Sequence, residues 1–105
     1  MKVIWSRFAY VNLLEIYTYH VEFAGVVVAK KMKVNIFKST KRLFLNPKAG
    51  RKEPSLEHIP AEHRYIVCGN YKIIYKEVNE GVLITDVFDT RQNPKKMKRP
   101  SRNLE

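Results

Sequence analysis

Between residues 64 and 94 apolar and polar side chains alternate in short runs, the pattern of strands with one buried face. Gly69-Asn70 and Asn79-Glu80-Gly81 divide this stretch, so it predicts a three-strand antiparallel meander with two tight turns. Upstream the period changes. Lys2–Trp5 is a short apolar run that suits a first or edge strand, and Ser6 stands where a helix N-cap belongs. Ala9, Leu13, Ile16, Tyr17 and His20 recur at helical spacing, as do Val28, Met32, Ile36, Ser39 and Leu43. They predict two helices, the second running from about 23 to 45 and ended by Asn46-Pro47. Helices so close in sequence fold back as an antiparallel hairpin. Residues 46–62, with Pro47, Gly50, Pro54 and Pro60, read as one long loop.

These elements predict an α+β fold in the order β-α-α-β-β-β, with the helical hairpin packed on one face of a small, mainly antiparallel twisted sheet. A single domain is expected over residues 1–97, followed by a basic tail at 98–105 whose final Leu104-Glu105 has the form of a cloning scar.

The strand register decides which side chains share a face. A two-residue turn pairs Cys68 with Tyr71 and mixes cations with aromatics on both faces of the first hairpin. One more residue in the connection pairs Cys68 with Lys72, Ile66 with Ile74 and Arg64 with Lys76. One face then carries Tyr65, Val67, Tyr71, Ile73 and Tyr75, while the other carries Arg64, Lys72 and Lys76 around Ile66 and Ile74. A one-residue slip moves every side chain to the opposite face, so burial favours the second register and predicts a bulged or odd-length turn near Gly69. The three cations then form one exposed patch.

Charge gives that patch a use. The 105 residues carry a formal net charge of +10, which implies a polyanionic partner: nucleic acid, an anionic membrane surface or an acidic protein. Helix two supplies Lys30, Lys31, Lys33, Lys38, Lys41 and Arg42, with no acid from 23 to 52. An apolar fraction of 45% speaks against wholesale disorder. Cys68 is the only cysteine, which excludes an intramolecular disulfide. The longest apolar run, 23–29, is too short to span a bilayer. No signal peptide is expected and a cytoplasmic location is. There is no Walker loop, no dinucleotide-binding glycine motif and no paired-cysteine or HExxH pattern. His20, His58 and His63 lack ligand spacing, and His20 continues an apolar helix face. No cofactor, metal or small-molecule substrate is expected.

Two readings of the cations stand side by side. Arg64, Lys72 and Arg91 could surround a scissile RNA phosphate and stabilise the charge gathering on its oxygens. His63, His58 or Glu57 would then handle protons. Alternatively the cations solvate an open sheet face or meet an acidic partner. Lys76, Arg51, Lys52, Lys95, Lys96, Lys98 and Arg99 are further candidates for binding nucleic acid or a partner protein.

The ordered segments VIWSRFAYVNLLEIYTY, RYIVCGNYKIIYKE and VFDTRQNP together resemble the RelE/ParE toxins of bacterial type II toxin–antitoxin modules, the plasmid-stabilisation type, over about residues 2–97. The resemblance implies a toxin wrapped and neutralised by an acidic cognate antitoxin. RelE-like members cut messenger RNA in the ribosomal A site, whereas ParE-like members poison DNA gyrase. Lys72 stands where the nucleases carry an arginine in a G-Y-R-hydrophobic-hydrophobic-Y pattern. Arg91 stands near their second catalytic arginine, and Arg64 lies in a strand that bears basic catalytic residues. The nucleases also tend to carry a C-terminal Tyr or His, but this chain has neither after Tyr75, and Met97 falls near that position. That departure favours the ParE-like growth inhibitor, with the RelE-like endoribonuclease as the alternative.

Overall fold

The computed structural model describes residues 2–98. The chain runs β1 (Lys2–Trp5), α1 (Arg7–Ala24), α2 (Val26–Leu45), β2 (Arg51–Lys52), β3 (Arg64–Cys68), β4 (Tyr71–Val78) and β5 (Gly81–Asp89), with 3-10 turns at Pro54–Leu56 and Pro94–Lys98. The sheet order is β1-β5-β4-β3-β2. β1 lies parallel to β5 and the other neighbours are antiparallel, so the predicted α+β architecture is the one observed.

Ser6 caps α1: its Oγ accepts the Ala9 N–H at 3.0 Å, satisfying one of the donors that a helix start leaves open. The helices are parted by Gly25 alone, whose φ of 90° lies in the left-handed region that favours glycine. Helix two therefore begins at Val26, not near residue 23. Its buried positions are Ala29, Ile36, Thr40 and Leu43, while Val28 is 49% exposed. The expected stripe was thus one residue out of phase at Val28 and Ser39 and correct at Ile36 and Leu43, because the buried face is set by how α2 lies on the sheet.

The first hairpin corrects the expected register. Cys68 pairs with Tyr71, Ile66 with Ile73 and Arg64 with Tyr75. The connection is a plain two-residue turn opened by Gly69 at φ 59°, a conformation whose twist matches that of the flanking strands. The register shift occurs instead between β4 and β5, where Ile74 pairs with Asp86 and Tyr75 with Ile84, leaving Thr85 as the extra residue. β2 was not anticipated. It pairs Arg51 with Tyr65 and Lys52 with Arg64 inside the predicted loop.

The sheet is covered on both sides, so the purity of one apolar face does not select the register. On the helix side Ile66, Tyr71, Ile73, Tyr75, Ile84 and Val87 join Leu13, Ile36 and Leu43 in the main core. On the other side Ile74 and Phe88 pack with Leu56 and Met97, flanked by Ile59 and Tyr65. With a second core beneath the sheet, a mixed face has somewhere to hide its apolar members.

Tyr75 ties the long connection to this frame. Its ring is fully buried, its hydroxyl accepts the Gly50 N–H at 2.8 Å, and it donates to the Pro47 carbonyl at 2.7 Å. Tyr75→Phe keeps the ring and strands both main-chain groups. It should lower unfolding stability by about 1–3 kcal/mol in urea melts, with an unchanged m-value.

Candidate functional site

The three cations proposed for phosphate chemistry are placed apart. Arg64 starts β3 and shares the helix-side face with Ile66 and Tyr75. Its Nη1 donates to the Gly50 carbonyl at 2.8 Å, its Nη2 lies 3.4 Å from Glu62, and its buried Nε has no protein partner. Lys72 is paired with Val67 and Phe88 and so points to the opposite face. Its ammonium sits 2.7 Å from the Glu53 carboxylate and 4.3 Å from the centroid of the Tyr65 ring. The single patch of Arg64, Lys72 and Lys76 is therefore not formed: Lys72 and Lys76 lie on one face of the sheet and Arg64 on the other.

Glu53 explains how Lys72 is held. Only 1% of its side chain is exposed. One carboxylate oxygen meets Lys72, and the other accepts the Ser55 N–H at 2.9 Å, capping the 3-10 turn that delivers Leu56 to the second core. The Glu53 N–H in turn donates to the His63 carbonyl at 2.8 Å. A lysine engaged this way is a structural clamp.

Arg91 occupies the turn after β5. Asp89 grips it with Nε at 2.9 Å and Nη2 at 2.7 Å, and the same carboxylate accepts the Arg91 main-chain N–H at 2.9 Å. The guanidinium holds the Asp89 carboxyl below the usual range, and the carboxylate pushes Arg91 up. His63 is buried, and its Nδ1–H donates to the Ala61 carbonyl, 2.9 Å away. Its pKa is lowered, first by desolvation and further by Lys76, against the opposing pull of Ala61. His58 and Glu57 are exposed on the loop. His20 packs on α1, its Nδ1 against the Ile16 carbonyl at 2.9 Å and its ring beside Tyr71.

Of the other cations, Arg51 and Lys52 are exposed on β2 at the sheet edge, with Lys52 3.2 Å from Glu62. Lys76 and Lys96 are half-buried and Lys95 is exposed. The side chain of Lys98 and all of Arg99 lie outside the described residues. Met97 is buried in the second core.

Two features escaped the sequence reading. One is an open cleft of about 410 Å³ between α1 and the far end of β5, lined by Asn12, Glu15, Ile16, Tyr19, Tyr71 and Arg91 among others. The polar and aromatic residues on one flank of α1 were its only trace. The other is an apolar tip on the helical hairpin, where Phe23, Val26 and Val27 are 68%, 48% and 83% exposed beside Tyr19. Among the described residues no group of three or more potential metal ligands occurs, and no helix is long and apolar enough to cross a membrane.

A family model described as the ParE toxin of the type II toxin–antitoxin system, parDE, matches residues 3–94. The chain belongs to the ParE toxin family. Among solved structures it is similar to a chain of the chromosomal ParDE toxin–antitoxin system from P. aeruginosa, with a TM-score of 0.70 and 22% identity over 85% of this chain and 95% of that one. That likeness is one of fold. No curated protein matches the chain.

Two measurements test this account of the ParE-family chain. Lys72→Ala leaves the Glu53 carboxylate buried without its cation, and should cost about 3 kcal/mol in chemical denaturation. Because burial depresses His63 from its ordinary 6.5, the folded chain binds that proton less well than the unfolded chain. Stability should therefore fall as pH drops from 6.5 toward the lower folded value, then level off. His63→Gln should flatten that part of the curve. Losses from Glu62 and Asp89, whose carboxyls are also lowered, fall below their ordinary 4.5 and 3.8.

Proposed function

We propose that this ParE-family toxin inhibits growth by acting on DNA gyrase, in the cytoplasm, and is neutralised by a cognate antitoxin. It works by binding other macromolecules and is not a nuclease. The observation that carries this reading is the dispersal of the cations. A metal-free ribonuclease needs several of them aimed at one phosphate. Here Arg64 and Lys72 occupy opposite faces of the sheet, and Arg64, Lys72 and Arg91 are held by Glu62, Glu53 and Asp89 respectively.

The rest of the surface suits partner binding. The net charge of +10 favours acidic partners, and Lys30 and Lys31 of α2 lie near the apolar hairpin tip. An antitoxin segment with mixed acidic and apolar residues is complementary to both. Gyrase as the target is supported by family membership and by residues 76–105, which hold neither Tyr nor His. Lys76, Arg51, Lys52, Lys95, Lys96, Lys98 and Arg99 are then contacts to antitoxin or target, not to a scissile phosphate.

Expression without antitoxin tests the reading. Purified toxin should abolish gyrase supercoiling while the 5′ ends of cellular messenger RNA stay unchanged. Cleavage in the ribosomal A site that disappears in Arg91→Ala, with supercoiling intact, would replace this reading with the endoribonuclease.

A further inference from the structure

Tyr71 is 6% exposed and lines the cleft between α1 and β5. A phenol buried to this degree ordinarily finds a hydrogen-bond partner. The Tyr71 hydroxyl meets none among the described residues, and it is not one of the sealed polar atoms. Its outlet is the cleft.

At the rim of the same cleft stands Arg91. Asp89 engages Nε and Nη2, while a guanidinium carries five N–H donors in a fixed fork. The Nη1 donors are left over, on a group that the Asp89 carboxylate and the backbone turn hold in place. Little side-chain freedom remains to be lost when an acceptor arrives. Ile16 and Tyr19 supply an apolar and aromatic wall opposite.

A hydroxyl donor that opens into the cleft and a guanidinium oriented by Asp89 suit an anionic acceptor. Glu15 and Asp89 also line the cleft, so a chain bearing a charge at every unit is repelled at each, whereas a single carboxylate set against Arg91 meets the least repulsion. The volume, about 410 Å³, is that of a small-ligand site. It admits a few residues of extended chain and no folded element.

We propose that this cleft receives the side-chain carboxylate of an acidic peptide segment, which accepts hydrogen bonds from the Tyr71 hydroxyl and the Arg91 Nη1 donors while its apolar neighbours rest on Ile16 and Tyr19. The inference rests on the reading of this chain as a protein-binding toxin, and it names the chemistry one of its contacts recognises.

The test is an NMR titration of isotope-labelled toxin with the capped tripeptide Ac-Leu-Glu-Leu-NH2, its Gln counterpart, inorganic phosphate and a short oligoribonucleotide. The Glu peptide should shift the Arg91 side-chain N–H and the Tyr71 and Tyr19 ring signals, and bind roughly tenfold more tightly than the Gln peptide. Tyr71→Phe, which keeps the ring in the core, should lose a comparable factor. Equal response to the two peptides, no shift in the cleft, or full affinity in Tyr71→Phe each overturns the proposal. A stronger response to phosphate or to the oligonucleotide overturns it too, assigning the site to a phosphate. Gyrase is absent from this assay, so the two readings fail separately. Toxin that blocks supercoiling yet ignores the peptide refutes the cleft alone. Toxin that binds the peptide yet leaves supercoiling intact refutes the gyrase target alone.

Discussion

Glu53 and Lys72 meet at 2.7 Å on the sheet face turned away from the helices, and much of the molecule is arranged around that contact. A carboxylate with 1% of its side chain exposed is tolerable only when paired and hydrogen-bonded. Lys72 supplies the charge and the Ser55 N–H supplies a further bond. In return Glu53 pins the 3-10 turn whose Leu56 seals the second core with Ile74, Phe88 and Met97. The pair has a stabilising role through what it organises, since desolvation offsets much of its direct attraction.

The same contact occupies a lysine on which phosphate cleavage would call. A cation that clamps a loop does not stabilise a developing oxyanion, and Arg91 is similarly gripped by Asp89. Different geometry gives these groups different uses. Arg91 keeps donors on its free side and stands at an open cleft, so its pairing with Asp89 leaves it accessible. Lys72, covered by Tyr65 and Glu53, is only 22% exposed and closed to one. The surfaces proposed for partner binding, namely the cleft, the apolar hairpin tip and the basic face of α2, lie on or beside the helices. The nuclease hypothesis placed the working face on the sheet.

The elements were legible where local chemistry is strong. Ser6 before a helical stripe, Gly69-Asn70 between alternating runs and Asn46-Pro47 after α2 each act through their immediate neighbours. Arg51–Lys52 was missed because two residues with no apolar alternation acquire strand character only from the partner β3. The Thr85 bulge was missed for a related reason: it resolves a mismatch between β4 and β5 that neither strand reveals alone. The cleft depends on where α1 crosses the end of β5, which no spacing along the chain encodes.

By itself the sequence determined the order and type of the main elements, the family and the strongly basic charge, because periodicity, turn residues and composition are properties of neighbouring residues. The tertiary structure alone decided which cations share a face and which are occupied. Strand register was the deciding link, and its sign turned on a fact held at long range. Loop residues 53–59 and Met97 cover the far side of the sheet, so both faces are buried and apolar purity no longer selects the pairing.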